Sequence, residues 1–184
     1  IAGAHSIPPI SRRFRVSREA TRASLDVLPD EHLVLLTTGG IRGSYDMVDR
    51  LRERSDVRFL LSGSSGTLRR EANLIHLPHR SGHHHPDLVR ASDAVVGKAG
   101  YGTVAEVRAS GIPFARVLRD NFRESPVLGA YLDKHIPGFT LSDTQFNGGS
   151  WVGRLDELLF RPRKDNGIGN GGALAAAHIV PFLG

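Results

Sequence analysis

The chain of 184 residues contains no cysteine, which excludes disulfide bonds, a thiolate nucleophile and cysteine-ligated metals. It has no run of about 18 apolar residues, so no transmembrane helix is expected. No signal peptide is visible, and a cytoplasmic location is predicted. Hydrophobic residues make up 40% and charged residues 23% of the chain, a balance typical of a globular domain with its own core.

Acidic residues are outnumbered, and lysine is scarce. The formal net charge is +5, and arginine carries almost all of the positive charge, because Lys98, Lys134 and Lys164 are the only lysines. A basic surface suits phosphate-bearing ligands or peripheral contact with an anionic membrane. The sequence has no basic stripe interleaved with aromatic residues and no recognition-helix pattern, so nucleic acid is not expected as a partner.

Apolar runs and helical patterns alternate along the chain, which predicts βαβ units. Strands are expected at 32–37, 57–61, 73–77, 93–96, 113–118 and 139–141, and helices at 18–28, 45–54, 86–91, 103–110, 125–135, 151–160 and 173–180. The predicted fold class is α/β, a Rossmann-like parallel sheet with helices on both faces. Residues 1–29 are interpreted as a linker and a crossover helix, and residues 30–184 as the main domain.

The most informative segment is Ser92–Glu106, a strand pattern followed by a glycine-rich turn and the start of a helix. Such a turn directs backbone N–H groups and the positive end of a helix dipole at one point, which suits a phosphate or diphosphate. It also lies at the carboxyl edge of the sheet, where open α/β folds bind ligands. Lys98 would add positive charge there. The alternative is a tight βα connection whose glycines serve geometry alone.

The spacing of the glycines in that turn limits the kinds of nucleotide that it is expected to bind. Gly97–Gly102 matches neither Gly-x-Gly-x-x-Gly nor the P-loop, so simple dinucleotide or ATP binding is disfavoured. Thr103–Glu106 has two interpretations. It can be a capping box, in which Thr103 caps the helix and Glu106 bonds back to it. Alternatively, Glu106 accepts hydrogen bonds from ribose hydroxyls.

Other loops at the same predicted sheet edge supply further candidates. Arg119–Glu124 packs donors and acceptors of both signs, which suits a sugar, and Asn121 and Glu124 are its best candidates; the alternative is a solvated polar loop. The glycine turn Gly39–Gly43 is expected to approach the diphosphate or to face a partner domain. The loop Asn170–Gly172 is a weaker candidate that opens the last helix.

The histidines between His76 and His85 look like a metal cluster, but consecutive histidines rarely converge on one ion. No carboxylate pair lies at ligand spacing either, so no metal site is predicted. The segment Leu77–Arg80 lies at the carboxyl end of a predicted strand, where it can frame a nucleotide base through backbone groups.

Three runs, in this order, carry a family resemblance: Gly-Lys-x-Gly-Tyr-Gly-Thr-Val-x-Glu at Gly97–Glu106, Arg-Asp-x-Phe-x-Glu-x-Pro at Arg119–Pro126, and Gly-x-Gly-Asn-Gly-Gly at Gly167–Gly172. The order of four segments, Gly39-Gly40, Asn73–Ile75, Asp93–Glu106 and Ile112–Phe114, resembles the C-terminal domain of GT-B glycosyltransferases, and within them the family-28 group that includes the peptidoglycan N-acetylglucosaminyltransferase. The chain is more similar still to the glycosyltransferase-like half of plant-type arabinokinases. The resemblance covers residues 7–182.

The resemblance implies that residues 30–184 are one half of a GT-B fold and bind a nucleotide diphosphate-sugar, expected to be a UDP-sugar. The backbone at Gly100–Thr103 would hold the diphosphate, Glu106 the ribose, and the 77–80 segment the base. Lys98 stands where the peptidoglycan enzyme has arginine, which preserves the charge but not the fork geometry. The implied donor-binding residues are Gly40, Leu77, His79, Lys98, Gly100, Tyr101, Gly102, Thr103, Glu106, Asn121 and Glu124.

The resemblance also implies a hexosyltransferase-like enzyme whose N-terminal acceptor domain and general base lie outside this chain. The catalytic residues are therefore unassigned, and the chain alone is expected to be inactive. No cofactor or metal is expected, because the helix dipole and basic side chains stabilise the departing diphosphate. The alternatives are a non-catalytic sugar-nucleotide-binding module and a sugar-nucleotide epimerase of the same architecture.

Overall fold

The computed structural model describes residues 5–38, 45–119, 122–164 and 171–183. The strands are β1 His32–Thr37, β2 Val57–Ser65, β3 Arg69–Glu71, β4 Leu74–Pro78, β5 Ala94–Lys98, β6 Phe114–Val117 and β7 Gly138–Leu141. The helices are α1 Arg18–Ser24, α2 Val48–Arg52, α3 His85–Ala91, α4 Tyr101–Ser110, α5 Ser125–His135, α6 Asp143–Gly148, α7 Asp156–Leu159 and α8 Gly171–Ile179. Short 3₁₀ turns cover Ser150–Arg154 and Val180–Phe182.

The strands form one sheet in the order β3-β4-β2-β1-β5-β6-β7. Every neighbouring pair is parallel except β3 and β4, which are antiparallel. The chain builds outward from β1 to β2 and β4, and then returns to the other side of β1 to form β5, β6 and β7. The direction of winding therefore reverses between β1 and β5, and such a switch point leaves a crevice at the carboxyl ends of the strands.

Both faces of the sheet are buried under helices. Leu33 and Leu35 of β1 pack into the core that contains α1, α3, α4 and α5. Val34 and Leu36 pack into the opposite core, which contains α2, α6, α7 and Trp151. Burial on both faces explains why the central strands read as uninterrupted apolar runs. The predicted Rossmann-like α/β sheet with helices on both faces is confirmed.

Three local differences from the predicted elements have identifiable causes. Strand β2 continues to Ser65, beyond the expected limit at residue 61, because Ser62 and Ser65 still pair with β4 across an irregularity in register. Strand β3 was not predicted, since its three residues are charged and exposed. The helix expected at 151–160 is instead a 3₁₀ turn followed by α7, and Gly149 in the left-handed region (φ 69°) ends α6 just before it.

The N-terminal segment, residues 5–16, is held against the body of the domain. The backbone N–H of Arg15 donates to Oδ1 of the buried Asp87 at 2.8 Å. The carbonyl of Arg13 lies 3.0 Å from Nε2 of His84, and the Arg90 guanidinium sits 5.0 Å from the centre of the Phe14 ring. These contacts fix the segment along α3 and bring it to the sheet edge where α4 begins.

Among the described helices, none is both long enough and apolar enough to cross a membrane.

Candidate functional site

A cleft of about 360 Å³ opens at the switch point of the sheet. Its lining comes from the N-terminal segment, from the carboxyl ends of β1, β2, β4 and β6, and from the first turns of α3 and α4. The lining residues are Arg12, Thr37, Ser62, His79, His85, Gly100, Gly102, Thr103, Glu106 and Arg119. The cleft is of ligand-binding size, since small-molecule sites begin at about 300 Å³.

The floor of the cleft is the N-terminus of α4. Gly100 is its N-cap residue, and the first helical hydrogen bond runs from the N–H of Val104 to the carbonyl of Gly100 at 2.9 Å. As a glycine, Gly100 has no side chain that could accept a hydrogen bond from the start of the helix. The first N–H groups of a helix have no partner within the helix. At the start of α4 these N–H groups are therefore placed to bind an anion, and the helix dipole adds to the attraction.

The two glycines of this turn that line the cleft are not required by the surrounding protein. Gly100 has a φ of −114°, which any residue adopts. Among the described residues, a Cβ built at Gly100 or Gly102 would meet no heavy atom within 4 Å apart from its chain neighbours and the backbone of its own helix. By contrast, a Cβ at Gly97 would lie 1.9 Å from the carbonyl oxygen of Thr37 on β1. Gly97 therefore serves the fold, whereas Gly100 and Gly102 leave open space in the cleft.

The capping-box interpretation of Thr103–Glu106 is wrong. Helix α4 starts at Tyr101, two residues before Thr103, so both Thr103 and Glu106 lie inside it. The helix begins two residues earlier than expected because its N-cap residue is Gly100 and not a residue closer to Thr103. Glu106 is thereby free to point across the cleft rather than back at the start of its own helix.

Glu106 is buried, with 3% of its side chain exposed, and both carboxylate oxygens have partners. Oε1 accepts from Nε and Nη2 of Arg12 at 3.0 and 2.7 Å, and Oε2 lies 2.6 Å from Nδ1 of His85. Burial alone would raise the pKa of Glu106. The hydrogen bonds and charges of His85 and Arg12 outweigh it, so that the pKa lies below its ordinary value and the carboxylate stays ionised.

Positive charge exceeds negative charge around the cleft. Arg12 and Arg119 are both in the lining, together with His79 and His85, and Glu106 is the one carboxylate among the described lining residues. Because Arg12 neutralises Glu106, the Arg119 guanidinium and the N-terminus of α4 remain to attract an anion. This arrangement suits a ligand that combines negative charge with hydroxyl groups.

The predicted site residues fall into four groups. Gly100, Gly102, Thr103, Glu106 and His79 line the cleft together. Lys98 does not line it, and its Nζ pairs with Oδ1 of Asp143 at 3.3 Å. Three more predicted residues have other surroundings, and two fall outside the described residues.

Tyr101 is 56% exposed and lines a neighbouring apolar groove with Val104 and Val127. The side chain of Leu77 is buried in the core, which leaves only its backbone for a ligand. Glu124 is exposed at the N-cap of α5. Gly40 and Asn121, with the rest of the 39–44 turn, lie outside the described residues.

Five lining residues were not predicted as site residues: the small polar residues Thr37 and Ser62, and Arg12, His85 and Arg119. Arg12 lies in the segment interpreted as a linker, and 94 residues separate it from Glu106, so no local pattern connects them. His85 stands in the histidine run that was considered only as a metal cluster. Arg119 was noted in its loop, but Asn121 and Glu124 were preferred there. The position of Arg119 directly after a strand was the available indication.

A second cavity, of about 710 Å³, adjoins the cleft at the carboxyl ends of β2 and β4. It is lined by Gly63–Gly66 and by Pro78, His79 and Arg80, and His79 borders both cavities. The segment 77–80 therefore lies where a planar group could extend away from Glu106. Across the described residues, no three histidine or carboxylate side chains are placed to hold a metal ion.

No family model matches the chain. It is 33% identical to the L-arabinokinase of Arabidopsis thaliana over an alignment of 175 residues. The alignment covers 95% of this chain and 16% of that protein. It superposes on MurG of Acinetobacter baumannii with a TM-score of 0.58 and 12% identity, covering 91% of this chain and 54% of MurG. It also superposes on the UDP complex of Arabidopsis thaliana UGT89C1, with a TM-score of 0.53 and 19% identity, covering 80% of this chain and 39% of that one. The chain thus spans only part of each.

Proposed function

Because the chain has the fold of a GT-B glycosyltransferase domain and is similar over most of its length to part of an L-arabinokinase, we propose that it is the donor-binding domain of a sugar-transferring enzyme. The ligand is a nucleoside diphosphate-sugar. The observation that carries the proposal is the uncapped, glycine-lined start of α4 beside the buried carboxylate of Glu106 at the switch point of the sheet.

The diphosphate would lie on the first turn of α4. The N–H groups of Tyr101, Gly102 and Thr103 donate to its oxygens, and the bare Cα atoms of Gly100 and Gly102 allow close approach. Arg119 adds charge at the rim of the cleft. The departing diphosphate would gain the same stabilisation as the glycosidic bond breaks, because preorganised N–H groups and cations act on developing negative charge.

The nucleoside would extend from the diphosphate past Glu106. The ionised carboxylate accepts hydrogen bonds from the ribose 2′ and 3′ hydroxyls, which requires it to stay deprotonated, as its lowered pKa ensures. The base would then reach the segment 77–80 and the second cavity, where His79 is shared with the cleft. UDP is the nucleotide in the UGT89C1 complex, and we propose uridine for this chain.

Sugar transfer needs an acceptor and a base, and we propose that both come from an N-terminal domain that precedes this one. The two-domain arrangement is supported by the solved glycosyltransferases, of which the chain covers 54% and 39% in the cases above. On this proposal the described domain binds the donor and, by itself, transfers no sugar.

Calorimetric titration with UDP, GDP, TDP and ADP tests the proposal. Saturable binding of one diphosphate, weakened at least about tenfold in Glu106→Gln, is expected, since the amide keeps the shape but loses the charge that strengthens such hydrogen bonds. Asp143→Asn, which changes a carboxylate outside the cleft lining, is the matched control and keeps the wild-type affinity. Failure of all four nucleotides to bind the folded protein refutes the proposal.

A second candidate is a non-catalytic sugar-nucleotide-binding module. The relative that favours it is named a kinase and matches this chain over only 16% of its length, so that a domain of this kind is carried by a protein named for another activity. The two candidates predict the same nucleotide binding. A turnover measurement distinguishes the two candidates. Only the first predicts that the full-length protein consumes a UDP-sugar in an acceptor-dependent reaction.

A further inference from the structure

We infer that Arg12 is an exchangeable partner in the nucleotide site: it pairs with Glu106 while the cleft is empty and moves to the diphosphate when ribose takes its place. This inference rests on the proposed function and concerns selectivity within it. Arg12 would make the site select for nucleoside diphosphates over nucleosides that lack phosphate.

The contacts of Glu106 set up a competition. A ribose offers two neighbouring hydroxyls, which a carboxylate receives with both of its oxygens. Arg12 already occupies Oε1 with two N–H groups at 3.0 and 2.7 Å. His85 occupies Oε2 with a single contact at 2.6 Å, which leaves that oxygen free to accept again. The ribose must therefore displace Arg12, whereas it can share Glu106 with His85.

The two partners of Glu106 differ in freedom as well. The side chain of His85 is 26% exposed and belongs to the first turn of α3, whereas the side chain of Arg12 is 59% exposed. The backbone on the C-terminal side of Arg12 is anchored, because His84 bonds to Arg13 and Asp87 bonds to Arg15. The Arg12 guanidinium can therefore swing on a fixed backbone, and the cleft that it lines leads to the start of α4.

The exchange has a consequence for ligand choice. A nucleoside that binds Glu106 breaks the ion pair and leaves the guanidinium of Arg12 without an anion. A nucleoside diphosphate breaks the same ion pair but offers Arg12 a stronger anion in the same cleft, at the start of α4. Glu106 remains paired with His85 in both cases. Arg12 therefore opposes the binding of a nucleoside and favours the binding of its diphosphate.

The test is to titrate UDP and uridine into the wild-type chain and Arg12→Ala, with Arg13→Ala as the matched control at the adjacent exposed arginine. The preference for UDP over uridine should fall about tenfold or more, because UDP loses its contact with Arg12, whereas uridine no longer has to displace Arg12 and should bind as tightly as to the wild type or more tightly. Arg13→Ala should leave both affinities unchanged. Ligand-detected NMR extends the uridine measurement to millimolar dissociation constants.

A second readout follows the Arg12 side chain directly. Its ¹⁵Nε signal, assigned by its loss in Arg12→Ala, should shift on saturation with UDP, while that of Arg13 should not. An equal loss of UDP and uridine binding in Arg12→Ala would overturn the inference, because a purely structural role affects both ligands. Weaker binding of uridine to Arg12→Ala than to the wild type would also overturn it. If the wild-type chain binds no nucleoside diphosphate, the proposed function itself fails, and that result is distinct from both.

Discussion

Substituting Gly102 with alanine separates a glycine kept for a ligand from one kept for the fold. Gly102 is the second residue of α4, and a Cβ there meets no heavy atom of the other described residues within 4 Å, apart from its chain neighbours and the backbone of its own helix. Alanine in a helix is more stable than glycine by roughly 0.5–1 kcal/mol. Gly102→Ala should therefore be at least as stable as the wild type, and more stable by up to about 1 kcal/mol, in urea denaturation.

The same methyl group should damage binding. It would occupy the space into which the diphosphate has to come close to the N–H groups of α4. Inserting a methyl group into a closely packed contact typically costs about 1–3 kcal/mol. This corresponds to a roughly 5- to 150-fold larger dissociation constant for UDP. Calorimetry on the folded variant measures this directly. The predicted variant is thus equal or better in stability and worse in binding.

Two other glycines act as controls. Gly148→Ala, at the end of α6 and outside the cleft lining, is also a helical glycine with space for a Cβ among the described residues, so it should likewise be at least as stable as the wild type but leave UDP binding unchanged. Gly97→Ala should prevent stable folding, because its Cβ would lie 1.9 Å from the carbonyl oxygen of Thr37. If Gly102→Ala bound UDP with wild-type affinity, the diphosphate would not lie on the first turn of α4, and the argument from this turn would be refuted.

Two further predictions concern stability. Tyr45→Phe removes the buried hydroxyl whose one proton is directed at the carbonyl of Ser62 at 2.8 Å, with the carbonyl of Leu36 at 3.2 Å as a second acceptor; the loss of this donor should cost about 1–3 kcal/mol in urea denaturation, and an unchanged midpoint would contradict it. The Glu106 carboxylate has a folded-state pKa below its ordinary value, so it stabilises the fold at neutral pH and loses this contribution as the pH falls through the folded pKa. The wild type should therefore exceed Glu106→Gln in stability at neutral pH, with the gap narrowing in acid; a gap that is constant down to acid unfolding would show that the charge of Glu106 contributes nothing.

The central sheet was predictable because its strands are buried on both faces. The run at 32–37 became β1 with the same limits, since an apolar run bounded by polar residues has little alternative in an α/β pattern. Helix α5 at Ser125–His135 was likewise predicted with the observed limits. Strand β3 was not predictable, because Arg69, Arg70 and Glu71 carry no apolar pattern and pair only through the hairpin to β4.

The candidate site was half visible in the sequence. The glycine turn and Glu106 are local features, so the sequence could place both at the start of a helix, with a ribose contact for Glu106 as one of two alternatives. The partners of Glu106 come from elsewhere in the chain: Arg12 is 94 residues away and His85 is 21 residues away. Such contacts depend on how the N-terminal segment crosses α3 and α4, which is a property of packing rather than of any motif.

Strand β3 also determines how the sheet ends. A parallel sheet that stopped at β4 would expose a row of free backbone N–H and C=O groups, to which a strand from another molecule could add. Instead, the final strand runs in the opposite direction and is only three residues long, and all three of its side chains are charged and exposed. An incoming strand would have to pair with this short, charged ribbon. Strand β3 therefore disfavours edge-to-edge aggregation on the side of the sheet nearest the proposed base cavity. The cavity can stay open there without an unprotected strand edge beside it.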